Sequence, residues 1–400
     1  MPEPRPLRVC YLVAYFHPFE SGAERQALAQ GTELVRLGHT VHVVTHAMPG
    51  VPREEDVRGI QVHRWVRSSK RGPLFALTFV ASALRALRRL RARGEVDLIH
   101  THQALWEAVA AGAGRCGAVR GVPTLVQPAI SGYYGEAEEL ARTRGAGLLR
   151  RLILRNDAFV AISADIERQW IGLGVPPGRV YRIGSGVDAR HFAPGPTSPE
   201  TEASLPPRPR VVFTGRLHPQ KNLDVLIDAW PDVARATGAS LVLVGQGPER
   251  DRLEARARAA GVADKVRFTG PVDDPADLLR AADVFALPSV AEGMSNSLLE
   301  AMATALPCVA SDIGGNQDLL GIGDAGVLVR GGSPGLWAEA LVGLWNDPAR
   351  RRALGASARR RIEEEFALDR VVGRYVTLYR TLLGHEAEPA QTTGPTGGRA

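Results

Sequence analysis

The chain has 400 residues and a mass of 42.9 kDa, with 44% apolar and 23% charged residues; this excludes a largely disordered chain and supplies material for two or three domains. Its 43 glycines and 28 prolines are dispersed, which excludes collagen-like and low-complexity readings. The net charge of +6 is uneven: residues 1–187 hold 25 Lys and Arg against 16 Asp and Glu, nearly all of the cations being arginine. Such a surface suits an anionic lipid or substrate, though an arginine-rich composition alone is the plainer account of it. No run approaches ~18 apolar residues, so no transmembrane helix is expected. Residues 1–16 read as the approach to a first buried strand, not a signal peptide. Cys10, Cys116 and Cys308 have no zinc or disulfide spacing and read as reduced core residues of a cytoplasmic protein.

In chain order, LRVCYLVAYF, TVHVVTHA, DLIHTH, TLVQPAI and AFVAIS predict strands in the first half. RVVFTG, SLVLVGQG, KVRFTG, VFALPSV, PCVAS and AGVLV predict them in the second. Most are continuous apolar runs, as in strands covered on both faces of a parallel sheet. Helical patterns at 22–37, 222–236, 248–260 and 296–304 lie between them. The fold class is therefore α/β, with two doubly wound Rossmann-like domains. The first spans 1–187. A proline-rich linker covers 188–210, the second domain 211–365, and a last helix 366–383 is expected to fold back on the first domain. The tail 384–400 reads as disordered. The stripes of 81–93 and 147–155, leucines among arginines, suit either a surface helix packed on the sheet or contact with an anionic membrane. No aromatic-rich basic face suggests nucleic acid.

Five segments carry chemistry. In FHPFESGAERQAL, 16–28, a strand ends and Ser21-Gly22 opens a helix, where Gly22 permits close backbone approach. In DLIHTHQALWEA, 97–108, His100 and His102 share one side of a strand; without a third ligand pattern no metal site is expected. In FTGRLHPQKN, 213–222, Gly215 ends a strand, and Arg216 and Lys221 on one loop can converge on a pyrophosphate and stabilise its departure without a metal. In LVLVGQGPERDRL, 241–253, Gly245 and Gly247 follow a strand. Pro248 and Arg250 break the hydride-cofactor pattern, so a dehydrogenase is disfavoured. In PSVAEGMSNSLLEAMA, 288–303, Glu292 lies in a loop, Ser295, Asn296 and Ser297 open a helix, and Glu300 lies within it. A helix N-terminus suits a diphosphate, and the two carboxylates suit sugar and ribose hydroxyls. There is no Asp-x-Asp at a strand end, no nucleophile elbow and no P-loop.

The last segment resembles the Glu-x7-Glu signature of retaining glycosyltransferases of the GT-B fold, and residues 7 to 383 are similar to glycosyltransferase family 4. The resemblance implies two domains facing across a cleft and transfer of a sugar from a nucleotide-diphosphate sugar to an acceptor hydroxyl, with no cofactor. It places Glu300 on the ribose and Glu292 on the donor sugar. It also places the backbone amides of Met294, Ser295, Asn296 and Ser297 on sugar and phosphate, Gly215, Gly245 and Gly247 near the nucleotide, and Val272 of TGPVDD against the base. Gly22 would approach the diphosphate or acceptor, and His102 would orient sugar or acceptor. Arg216 and Lys221 would stabilise the leaving group. Met294 and Ser295 stand where many relatives carry an aromatic residue and a glycine. The implied partners are a nucleotide sugar and a glycan or lipid-linked acceptor; the basic first half points to an acceptor of the cell envelope and to peripheral contact with an anionic membrane. Two other readings use the same scaffold: a nucleotide-sugar epimerase, and a non-catalytic nucleotide-sugar-binding subunit.

Overall fold

The computed structural model describes residues 5–18, 22–69, 72–128, 135–143, 145–321 and 324–385. It divides into two compact units, residues 1–185 with 368–400, and residues 186–367. The tail beyond 385 and Ser21 lie outside the described residues.

In the first unit the strands are β1 Arg8–Leu12, β2 Thr40–His46, β3 Glu54–Val57, β4 Ile60–Val66, β5 Leu98–Thr101, β6 Thr124–Val126, β7 Ala158–Ala161 and β8 Val180–Arg182. Their order is β3-β4-β2-β1-β5-β6-β7-β8, and all neighbours run parallel except β3 and β4. Strands β3, β4 and β8 were not read from the sequence. EEDV carries three acids, and IQVHRWV alternates with charge rather than forming an apolar run. What joins β3 to β4 is the Arg58-Gly59 turn, with φ of 55° and 84°, the two-residue geometry that matches strand twist.

Leu87 and Leu90 of the arginine-rich helix Gly72–Ala92 are buried in a core with Cys10, Leu12, Val44 and Ile99, while Arg85, Arg88 and Arg89 stay exposed. Much of its leucine stripe is therefore spent on the sheet. Cys10 and Cys308 are buried as expected, but Cys116 is exposed: it sits in the turn beyond helix Trp106–Gly114, 3.4 Å from the Arg155 guanidinium, and not in the core. The helix Leu368–Leu382 belongs to this unit. Its Tyr375 donates to Gln127 Oε1 at 2.8 Å, and its Tyr379 hydroxyl lies 2.8 Å from His100 Nδ1, all four side chains being buried. Buried polar groups are costly unless paired, so these bonds fix where the helix docks.

The second unit holds β9 Arg210–Thr214, β10 Ser240–Val244, β11 Val266–Gly270, β12 Val284–Leu287, β13 Cys308–Ser311 and β14 Val327–Val329. The order is β11-β10-β9-β12-β13-β14, all parallel. β9, β10 and β12 are buried along their whole length, which is why their sequences are unbroken apolar runs. The proline-rich stretch 188–210 is not free chain. Arg280 donates to the carbonyls of His191 and Ala193 at 2.8 and 2.9 Å, Ser198 caps helix Pro199–Ser204 and bonds Asp277, and Glu202 pairs with Arg210 at 2.9 Å. The segment is thereby tied to the second unit along most of its length. Val187 donates to the carbonyl of Phe366 at 3.0 Å, joining the two ends of this unit.

Candidate functional site

Each sheet has one switch point, where successive strands leave in opposite directions and the loops beyond their carboxyl ends part. Such crevices hold ligands in open parallel sheets. In the second unit it lies between β9 and β12, and in the first between β1 and β5.

The loop after β9 carries Gly215, Arg216 and Lys221, and that after β12 carries Glu292 to Ser295 and leads into a helix at Asn296. Three contacts join them: Val290 donates to the carbonyl of Gln220 at 2.9 Å, the Gln220 side chain donates to the carbonyl of Ala291 at 2.7 Å, and Lys221 pairs directly with Glu292. Lys221 and Glu292 are 16% and 8% exposed, so this pair is held away from bulk water and is screened less than a surface pair. Ser295 caps helix Asn296–Ala303, its hydroxyl accepting from the Leu298 amide at 3.4 Å and lying 3.1 Å from the Ser297 hydroxyl. Met294 just before this helix, and Ser297 and Glu300 within it, are each 8% exposed. The structure thus brings Lys221, Glu292 and a helix N-terminus together. Arg216 is exposed and makes no ion pair among the described residues. It lines an open pocket of about 530 Å³ with Gln246, Gly247, Arg250 and Pro271.

Gly245 and Gly247 have a clear local reason. A Cβ on Gly245 would sit 1.9 Å from the carbonyl oxygen of Gly215, and one on Gly247 would sit 2.1 Å from that of Leu217. Gly245 has φ of 142°, and its loop is zipped to the β9 loop by Gly215 N–H to Val244 O and Leu217 N–H to Gln246 O, both at 2.9 Å. Val272, in the loop after β11, is 40% exposed.

In the first unit Gly22 opens helix Gly22–Arg36 after β1. His102 follows β5, and its amide donates to the carbonyl of Leu12 at 3.1 Å. Its ring stacks on His100 with centroids 4.3 Å apart and meets Tyr11 edge-on at 4.3 Å, and its Nε2 is buried without a partner among the described residues. Burial lowers its pKa to about 3, so the ring is neutral near pH 7.

Sequence reasoning missed several residues of these loops. The Arg64 guanidinium is fully buried, donates to the carbonyls of His17 and Pro52 at 2.6 and 2.9 Å and pairs with Glu55 at 2.8 Å, tying down the loop after β1. Gly315 approaches Gly293 so closely that a Cβ would lie 2.2 Å from its carbonyl oxygen. Thr214 Oγ1 and Ser289 Oγ, at the ends of β9 and β12, are buried with no partner among the described residues. Arg250 had one visible signal: a cation at the start of the helix that follows a Gly-x-Gly turn.

Two family models match. "Glycosyltransferase Family 4" covers residues 21–191 and "Glycosyl transferases group 1" covers residues 208–347. The D-inositol 3-phosphate glycosyltransferase of Rhodococcus opacus is 31% identical over 90% of this chain and 87% of its own length. The phosphatidyl-myo-inositol mannosyltransferase of Mycobacterium leprae is 28% identical over 93% of this chain and 97% of its own. The sucrose-phosphate synthase of Thermosynechococcus elongatus superposes with a TM-score of 0.79 at 24% identity, covering 95% of this chain and all of that one. HepE of Anabaena, crystallised with UDP and glucose, gives 0.75 at 20% identity, covering 93% and 99%. The fold is that of the GT-B glycosyltransferases, two parallel-sheet Rossmann-like units. The chain belongs to glycosyltransferase family 4 and is a sugar-transferring enzyme. These relatives give no support to the epimerase or non-catalytic readings.

Proposed function

We propose that the protein transfers a sugar, with retention of anomeric configuration and without a metal, from a nucleoside-diphosphate sugar to a hydroxyl of a glycan or lipid-linked acceptor in cell-envelope synthesis. The observation that carries this reading is the meeting of Lys221 and Glu292 beside a helix N-terminus at the switch point of the second sheet. One cation and one carboxylate held together out of bulk water match the two ends of such a donor, its diphosphate and its sugar hydroxyls.

In the reaction the bond from the anomeric carbon to the diphosphate oxygen breaks, the acceptor oxygen bonds the same carbon on the same face, and the acceptor proton passes to the leaving diphosphate. Arg216 and Lys221 stabilise the negative charge that grows on that diphosphate. Gly215 and the amides of Met294, Ser295, Asn296 and Ser297 hold phosphate and sugar, Glu292 orients the sugar and Glu300 the ribose. Gly245 and Gly247 shape the nucleotide wall, and Val272 meets the base. Gly22 and the neutral His102 of the first unit act on sugar or acceptor by position rather than by proton transfer.

Two relatives are named for inositol phosphates, and the first half of this chain is strongly basic, which supports an acceptor bearing an anionic group. Contact with an anionic membrane from the cytoplasm is part of the same proposal. Its support is the exposed Leu74, Leu77 and Leu148 on the arginine-bearing helices; no helix among the described residues is long and apolar enough to cross a membrane. The test incubates UDP- and GDP-sugars in EDTA with inositol phosphate or with phosphatidylinositol in vesicles. Transfer with a retained linkage, and sedimentation with the vesicles, are expected. An inverted linkage, or an epimerised donor without acceptor, overturns the transfer reading, and absence from the vesicle pellet overturns the membrane contact alone.

A further inference from the structure

We propose that Arg250 reads the base of the donor nucleotide and selects a base whose edge presents hydrogen-bond acceptors, uracil or guanine, over adenine or cytosine. The inference rests on the donor site proposed above and goes beyond it by assigning a specificity residue.

The open pocket of the second unit is walled by residues that follow three adjacent strands: Arg216 follows β9, Gln246, Gly247 and the helix-opening Arg250 follow β10, and Pro271 follows β11. Neighbouring strands lie about 4.8 Å apart, so the wall beyond β11 is roughly 10 Å from the strand that carries Arg216. That is the separation between the diphosphate of a nucleotide and the far edge of its base. A diphosphate on Arg216 therefore directs its base toward Arg250 and Pro271. The exposed Val272, next to Pro271, adds apolar surface for a base face.

Arg250 is prepared for this role. Its side chain is 40% exposed, and its Nε donates to Glu254 Oε1 at 2.9 Å. That bond engages Nε and leaves the two terminal nitrogens as donors. Arginine carries no acceptor, so it matches the O6 and N7 of guanine or the O4 of uracil and is mismatched to the amino groups of adenine and cytosine. A lysine at the same place would keep the charge and lose the fixed fork.

The test measures dissociation constants of UDP, GDP, ADP and CDP for the unaltered enzyme, Arg250→Met and Arg250→Lys, by titration calorimetry. The side chain is on the surface, so both variants are expected to fold, which their circular dichroism checks. The unaltered enzyme is expected to prefer UDP or GDP over ADP and CDP by about tenfold or more. Both variants should lose that ranking, and Arg250→Lys should keep its affinity for ADP within about twofold. A ranking unchanged in both variants, or an equal loss for all four ligands, overturns base reading, the latter marking a phosphate contact. Failure of the unaltered enzyme to bind any of the four overturns the donor site itself and this assignment with it.

Discussion

His102 illustrates how burial settles a residue's chemistry before any ligand is considered. A histidine near pH 7 is ordinarily poised to exchange a proton. Here desolvation favours the neutral ring so strongly that its pKa falls to about 3. The stacked neighbour His100 is likewise pushed well below the usual range, by burial first and by His102 second. His102 can therefore orient a hydroxyl but is a poor proton carrier at physiological pH. The transfer rate is expected to show no inflection attributable to His102 between pH 5.5 and 8, with His102→Asn lowering the rate by a similar factor across that range. An inflection near pH 6.5 that disappears in His102→Asn would contradict the positioning role. The His100-x-His102 spacing was visible in the sequence; its meaning was not, because the Tyr11 and Tyr379 rings that enclose the pair come from β1 and from the last helix. Arg250 shows the opposite case. In the sequence it breaks a glycine pattern and opens a helix, and in the fold it stands on the pocket wall.

At the scale of elements, the loops after β9 and β10 act as one body. The carbonyls of Gly215 and Leu217 occupy the space where Cβ atoms of Gly245 and Gly247 would lie. Gly245→Ala must displace backbone and is expected to cost more than about 2 kcal/mol. The control is Gly238→Ala, at the end of helix Asp224–Thr237 with φ of 70° and open space around it, which should cost about 1 kcal/mol. Chemical denaturation of both variants measures the difference; equal costs would show that the loops do not depend on this close approach. The glycines themselves were legible, since a Gly-x-Gly after a strand announces a tight turn. What they meet was not, because the contact is with a loop some thirty residues away. The approach of Gly315 to Gly293 was hidden for the same reason. Strands β9, β10 and β12 were legible because burial along their whole length leaves unbroken apolar runs. Strands β3 and β4 were not, because an antiparallel edge pair carries acids and alternation instead.

For the molecule as a whole, two sheets built on the same plan carry different chemistry. The switch point of the second gathers a cation, a carboxylate and a capped helix, and that of the first gathers a glycine-opened helix and a neutral histidine. The chain's own sequence made this division readable, since each motif ends a predicted strand. The place of the last helix with the first unit was readable as well, while the binding of the stretch 188–210 to the second unit was not, because its partners Asp277 and Arg280 lie some eighty residues further on. In the proposed reaction, fixed cations of the second unit stabilise a departing diphosphate. The most direct test of that role is the turnover of Arg216→Ala with donor and acceptor saturating and EDTA present. Arg216 is exposed and unpaired among the described residues, so the variant should fold and keep its melting temperature. Its turnover is expected to fall about 10²–10³-fold. Transfer at the native rate would contradict the role of these cations.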